Sequence, residues 1–167
     1  IVDAQIYTTT DGLALDTISI SREYDRDEDE GRRATRIGET IEQALEGKVR
    51  LPDIVAARRS AAKSRARPFT VEPEVAINTT WSERYTVIEV SGLDRPGLLY
   101  ELTTPLSKLT LNIASAHVAT FGERARDVFY VTDLLGAQIT APTRQAAIKS
   151  ALLRLLSEGG AATKPAA

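Results

Sequence analysis

An internal repeat constrains the fold of this chain more than any other feature of its sequence. Residues 1–8 align with residues 113–120, and in each copy a polar turn with a glycine leads to a second apolar run that begins near Asp16 or Asp127. Apolar and polar residues alternate along these runs, which predicts a β-hairpin in each copy. A repeat of this kind indicates that one supersecondary unit occurs twice. The residues expected on one face of each hairpin are Val2, Ala4 and Ile6 in the first copy, and Ala114, Ala116 and Val118 in the second.

An amphipathic helix is predicted after each hairpin. Apolar residues recur at helical spacing from Ile148 to Leu156 in the second copy, where Pro142 is placed to open the helix. A shorter stripe with the same spacing runs from Ile37 to Leu45 in the first copy. Each hairpin therefore has an apolar helix face available to cover it.

The order of elements predicts an α+β fold. The second copy has a strand at 86–90 and a helix at 97–109 ahead of its hairpin, whereas the chain begins too late for the first copy to contain either. Strand, helix, strand, strand, helix and a closing strand form the ferredoxin-like βαββαβ arrangement, with an antiparallel sheet and helices on one face. We predict a truncated first repeat at 1–80 (hairpin, helix and closing strand), a second repeat at 81–158 and a flexible tail at 159–167.

The second repeat has no closing strand of its own after Leu156. The strand predicted at 71–78 could pair antiparallel with 86–90 and fill that position. The first repeat, which lacks its opening strand, would then leave an unpaired edge, and such an edge favours a homodimer.

Composition excludes several classes of function. A net charge of −2 provides no field for nucleic acid or an anionic membrane, and no apolar run approaches membrane-spanning length. The absence of cysteine excludes disulfides and fits a cytoplasmic protein. One histidine, His117, rules out a histidine-based metal cluster, and we expect it on the strand surface. No nucleophile–base pair or phosphate loop is present, so we do not expect this chain to be an enzyme by itself.

A candidate binding loop lies between the strand at 86–90 and the helix that follows it. Pro96-Gly97 sets a tight turn there, and the first N–H groups of the helix suit a carboxylate or another small anion. An alternative is that Pro96-Gly97 only turns the chain and Asp94 caps the helix.

These residues resemble a known family. Asp94-Arg95-Pro96-Gly97-Leu98-Leu99, followed by Leu111-Asn112-Ile113, is similar to the ACT domain, a small-molecule sensing module of metabolic enzymes. Residues 1–17 and 85–90 narrow the likeness to the C-terminal tandem ACT region of a family of bacterial bifunctional enzymes. Those enzymes attach uridylyl groups to the P-II nitrogen signal protein and remove them. The likeness covers the chain up to Leu156.

The resemblance implies a regulatory module that senses an amino acid, with glutamine as the expected ligand. It also implies that the whole enzyme has a nucleotidyltransferase domain and a phosphohydrolase domain for uridylyl removal, for which Mg²⁺ is expected, and that it acts on the P-II protein. Neither catalytic domain lies in this chain, so no catalytic residue, metal or cofactor is expected here. The alternative is a structural module for dimerisation or protein interaction that binds no metabolite.

The resemblance also implies where the ligand binds, between this loop and the start of the second strand of a partner repeat. N–H groups after Pro96 would hold the carboxylate, Asp94 the ammonium group, and Asn112 a polar side chain. In the first repeat the equivalent strand positions, residues 2–4, would face the loop of another repeat. The expected ligand-binding residues are Asp94, Arg95, Gly97, Leu98, Leu99, Asn112, Ile113 and Ala114.

Two of these residues have a competing role. For Arg95, a solvent-exposed ion pair with a nearby carboxylate is favoured over a direct contact with the ligand. Asn112 could be only a turn residue before a strand.

Overall fold

The computed structural model describes residues 1, 3–62 and 71–161. The chain divides into a sheet unit, residues 1–19 with 66–167, and a helical unit, residues 20–65. None of the helices in this described part is long and apolar enough to cross a membrane. In chain order the elements are β1 (Asp3–Thr8), β2 (Ala14–Ser19), α1 (Asp27–Leu45), α2 (Leu51–Ala62), β3 (Glu74–Asn78), β4 (Thr86–Leu93), α3 (Leu98–Lys108), β5 (Leu111–Phe121), β6 (Arg124–Asp133) and α4 (Pro142–Ala161).

The sheet unit is built on six antiparallel strands in the order β2-β1-β5-β6-β4-β3. Both predicted hairpins are present, as β1–β2 and β5–β6. They join along β1 and β5, where Ala4 lies opposite Val118. The α+β, ferredoxin-like fold class is therefore confirmed, with the two copies of the repeat sharing one continuous sheet.

The predicted pairing of the connecting strand with the second repeat is also confirmed. β3 runs antiparallel to β4, from Glu74 opposite Ser91 to Asn78 opposite Val87. The strand is shorter than the 71–78 segment predicted, and it supplies the fourth strand that the second repeat lacks.

The core lies between one face of this sheet and helices α3 and α4. Phe129 and Ile88 are fully buried on neighbouring strands, and Leu102, Leu106 and Leu152 are fully buried on the two helices. The helical residues follow the i, i+4 spacing that places apolar side chains on one face. Burial of these side chains is the main favourable term that holds the sheet unit together.

Helix α4 begins at Pro142, as predicted, and extends to Ala161. It therefore runs three residues into the segment predicted as a flexible tail, because Gly159 and Gly160 lower helix propensity without stopping a helix. Residues 162–167 of that segment lie outside the described residues.

A β-bulge corrects the predicted alternation of β5. The register shifts between Ile113, which lies opposite Val131, and Ser115, which lies opposite Tyr130, so Ala114 is the extra residue. The bulge reverses the pattern: Ile113, not Ala114, packs against the core on the same face as Ala116 and Val118. In the first copy Ala4 is buried and Ile6 packs against the core, as expected, while Val2 lies outside the described residues.

The helical unit consists of α1, α2 and the chain that leads into them. The first turn of α1 is acidic from Asp27 to Glu30, which suits the positive end of the helix dipole. The Glu30 carboxylate accepts the N–H groups of Tyr24 and Glu23 at 2.6 and 2.5 Å, and these bonds lower the pKa of Glu30. Gly47, with φ of 73°, follows the end of α1, so α2 is a separate helix.

Truncation of the core aromatic tests this packing. Phe129→Ala removes a fully buried ring and should lower the free energy of unfolding by about 3–5 kcal/mol. Phe121→Ala, on the adjacent strand but 68% exposed, should change it by less than about 0.5 kcal/mol. Urea denaturation of both variants measures the difference, and similar losses in the two would contradict the assigned core.

Candidate functional site

The turn that joins β4 to α3 has a well-defined backbone. The N–H group of Asp94 donates to the carbonyl of Glu123, in the β5–β6 turn, at 2.9 Å. Gly97 precedes the helix with a left-handed φ of 85°, which glycine adopts without steric cost. Gly97, rather than Asp94, occupies the N-cap position of the helix.

The start of α3 provides fewer hydrogen-bond donors than predicted. The N–H group of Leu98 donates to the carbonyl of Arg95 at 3.1 Å, and that of Glu101 donates to the carbonyl of Gly97 at 2.9 Å. Within the described residues, the N–H groups of Gly97 and Leu99 have no backbone acceptor. These two donors lie at the positive end of the helix dipole, where an anion is favoured.

A cavity of about 370 Å³ lies beside this turn. Its size falls in the range of small-molecule sites, about 300–1,000 Å³. Polar and apolar groups both contribute to its wall. The residues that line it are Ile1, Asp94, Arg95, Pro96, Gly97, Leu98, Leu99, Val118, Thr120, Ala125 and Asp127.

Both copies of the repeat contribute to the cavity. The antiparallel register of β1 and β5 sets Asp3 opposite Ala119, so the start of β1 lies beside the end of β5. Ile1 therefore lines the cavity together with Val118 and Thr120. Of the first-copy positions predicted to face this loop, Asp3 and Ala4 do not line the cavity and Val2 lies outside the described residues.

The structure brings together only part of the predicted ligand-binding set. The predicted residues of the turn and of the start of α3, which are Asp94, Arg95, Gly97, Leu98 and Leu99, all line the cavity. Asn112, Ile113 and Ala114 do not. Asn112 lies near the start of β5, eight residues before Thr120, which corresponds to about 26 Å along a strand. The turn is bonded to the other end of β5 and β6, so one copy of this chain does not place both groups at one cavity.

The Arg95 side chain is largely covered, which corrects the prediction of a solvent-exposed side chain. It pairs with the Glu101 carboxylate at 2.6 Å, and the two side chains are 14% and 13% exposed. The same guanidinium donates to the carbonyl of Leu155 on α4 at 3.2 Å. The partner is a carboxylate, as expected, but the contacts tie the turn to both helices. Nε and Nη1 of Arg95 are buried without a hydrogen-bond partner among the described residues.

Asp127, which the ligand-binding set did not include, also lines the cavity. The residue is 2% exposed, and its Oδ1 has no hydrogen-bond partner within the described chain. Burial, together with the nearby Asp94 carboxylate, raises the pKa of Asp127 to about 7, although the backbone N–H of Ala119 favours the charged form. A buried acceptor of this kind is unusual and points to a function.

The internal repeat is the sequence feature that singles out Asp127. Asp16 and Asp127 occupy matched positions, since Asp16 lies opposite Ile6 and Asp127 lies opposite Val118. Asp16 is exposed, whereas Asp127 is covered. The two copies therefore share the residue but not its environment.

His117 lies outside the cavity. It is exposed on the sheet face opposite Ala116 and Val118, as predicted, and its ring meets Tyr130 edge-on at 6.0 Å. In residues 1, 3–62 and 71–161, no three His, Cys, Asp or Glu side chains are grouped to hold a metal ion.

Comparison with known proteins identifies relatives for the whole chain. Residues 86–151 match the ACT domain family. The chain is 82% identical to the bifunctional uridylyltransferase/uridylyl-removing enzyme of Rhodopseudomonas palustris, over 100% of the chain and 18% of that enzyme. It is 81% identical to the enzyme of the same name from Bradyrhizobium sp. strain ORS 278, with the same coverage. The relative from Nitrobacter hamburgensis is 78% identical over 97% of the chain and 17% of its own length. No solved structure matches the chain.

The carboxyl group of Asp127 should make stability depend on pH. Its pKa of about 7 lies above the ordinary aspartate value of 3.8. Between these values the unfolded chain loses the proton and the folded chain retains it, so stability falls as pH rises. Asp127→Asn should abolish this loss, which is on the order of a few kcal/mol between pH 4 and pH 7.5.

Urea denaturation at several pH values measures the effect. Asp16→Asn, at the matched and exposed position, is the control and should follow the wild-type profile. Parallel pH profiles for wild type and Asp127→Asn would contradict the raised pKa.

Proposed function

We propose that this chain is a regulatory module that senses an amino acid. Its residues 86–151 match the ACT domain family, and its whole length aligns with part of bifunctional uridylyltransferase/uridylyl-removing enzymes. Glutamine is the proposed ligand. The observation that carries the proposal is the cavity at the Asp94–Gly97 turn, which combines donors for an anion with carboxylates for a cation.

The chemistry of the cavity suits the two ends of an amino acid. The N–H groups of Gly97 and Leu99 can donate to the α-carboxylate, since both lie at the start of α3. The carboxylate of Asp94 provides an opposite charge for the ammonium group. Thr120 adds a hydroxyl group that can both donate to and accept from a neutral amide.

Regulation would follow from a population shift. Glutamine can favour one arrangement of a larger enzyme only if it binds that arrangement more tightly than the other. A ligand in this cavity touches the turn, the end of β5 and the start of the chain, so it links elements of both copies of the repeat. In the whole enzyme, we propose that this linkage controls uridylylation and de-uridylylation of the P-II protein by Mg²⁺-dependent catalytic domains in the cytoplasm.

A second candidate function is assembly of a homodimer. β2 is an edge strand of the six-stranded sheet, and it carries exposed apolar side chains at Leu15 (63% exposed) and Ile18 (48% exposed). An exposed apolar edge strand is a template for pairing with another chain. Two copies joined along β2 would cover this edge without any metabolite.

Calorimetric titration with glutamine, with glutamate and isoleucine as controls, tests the sensor function. We expect glutamine-selective binding that Gly97→Val weakens by about tenfold or more, since a β-branched residue is strained at positive φ and fills space beside the donors. Gly12→Val is the matched control, because Gly12 has φ of 86° in the β1–β2 turn, away from the cavity. Absence of a response to all three amino acids would contradict the sensor function.

Light scattering tests the assembly function. We expect a particle of twice the mass of the chain, and Ile18→Lys should convert it to a monomer because a charge on an edge strand opposes pairing. Leu135→Lys, at a residue 94% exposed outside the strands, should leave the dimer intact. A folded wild-type monomer at all concentrations would rule out a homodimer through β2.

A further inference from the structure

Asp127 is a buried hydrogen-bond acceptor that the proposed ligand contacts leave unused. It lines the cavity and is 2% exposed. Its Oδ1 atom has no hydrogen-bond partner within the described chain. Because an acceptor buried without a partner is unfavourable, the position favours a ligand that brings a hydrogen-bond donor to it.

Positively charged groups already line the cavity, so the donor that Asp127 lacks need not be a cation. The guanidinium of Arg95 donates to the Glu101 carboxylate at 2.6 Å and to the carbonyl of Leu155 at 3.2 Å. Ile1, with the terminal amino group of the chain, lines the cavity as well. Neither Arg95 nor Ile1 donates to Oδ1 of Asp127. A neutral N–H group would satisfy this acceptor without adding charge to the wall.

The register of the β5–β6 hairpin places a hydroxyl group beside this acceptor. Asp127 lies opposite Val118, and Thr120 lies opposite Ala125. Since Val118 and Thr120 are two residues apart on one strand, Thr120 and Asp127 are diagonal neighbours on the same face of the hairpin, about 7–8 Å apart. Both residues line the cavity. The pair therefore offers one acceptor and one hydroxyl donor to the same space.

We propose that Asp127 and Thr120 are the specificity-determining pair for a primary carboxamide, the side-chain group of glutamine. Asp127 accepts a hydrogen bond from the NH2 group of the amide, and the hydroxyl group of Thr120 donates to the amide oxygen. This proposal rests on the sensor function proposed above and deepens it, because it assigns the residues that distinguish glutamine from glutamate. The side-chain carboxylate of glutamate has no N–H group to donate to Asp127 and is repelled by its charge.

Calorimetric titration of the 167-residue chain with glutamine and with glutamate gives the ratio of the two affinities. At about pH 8 the carboxyl group of Asp127 is charged, since its pKa is about 7. Wild type should prefer glutamine by about tenfold or more. Asp127→Asn should reduce the preference to about threefold or less by tightening glutamate binding, because the substituted side chain can donate to a carboxylate. A variant that only disturbs the fold does not gain affinity for glutamate.

Three controls isolate the pair. Asp16→Asn changes the matched and exposed residue of the first copy and should retain the wild-type preference. Acetylation of the amino group of Ile1 should leave the preference unchanged, because that group does not donate to Asp127. Thr120→Val should weaken the binding of both amino acids, since each has a side-chain oxygen that accepts from the hydroxyl group. If Asp127→Asn does not fold, Asp127→Ser is neutral, can donate to a carboxylate and carries the same expectation.

The outcomes separate this proposal from the sensor function. If wild type binds glutamine and Asp127→Asn keeps the full preference over glutamate, the role of Asp127 is wrong and the sensor function stands. An equal loss of affinity for both amino acids in Asp127→Asn would also overturn the role, since it would indicate a structural effect. If wild type binds no amino acid, the sensor function and this proposal both fail.

Discussion

The antiparallel ladder that joins β1, β5 and β6 is the constraint on which the rest of the sheet unit depends. β5 is central, because it pairs with the first copy of the repeat on one side and with its own hairpin partner on the other. The register with β1 brings Ile1 beside the end of β5, and the register with β6 brings Asp127 opposite Val118. The cavity therefore arises where two copies of one hairpin meet, and neither copy alone provides its full wall.

Contacts from distant parts of the chain hold the turn over this end of the sheet. The N–H of Asp94 is bonded to the β5–β6 turn through the carbonyl of Glu123. Arg95 is bonded to Glu101 on α3 and to the carbonyl of Leu155 on α4. These bonds fix the backbone that presents the helix donors, and a site with fixed donors loses less conformational freedom when a ligand binds. Within the described residues, Oδ1 of Asp127 and the Nε and Nη1 atoms of Arg95 are the buried side-chain atoms of this wall that have no hydrogen-bond partner.

Local patterns in the sequence predicted the helices and strands. The features that these patterns did not predict depend on contacts between residues that are distant in the chain. Alternation and helical spacing gave both hairpins and the start of α4 at Pro142. The bulge at Ala114 inserts a single residue into β5, and the alternation of apolar and polar residues does not reveal it. The partial burial of Arg95 accompanies a hydrogen bond to the carbonyl of Leu155, 60 residues away in the chain. The family pattern placed Asn112 beside the turn because the ligand site of that pattern combines residues of two repeats. In this chain the turn and Asn112 lie at opposite ends of β5.

The most direct test of the account is to map glutamine onto the backbone by NMR. Amide shifts recorded during a titration of the labelled chain should change at 97–99, at 118–120 and at Asp127, because these residues form one cavity. The amides at 111–114 and in the β1–β2 turn should not change. Shifts confined to 111–114, or to the β2 edge, would contradict a ligand site at the Asp94–Gly97 turn.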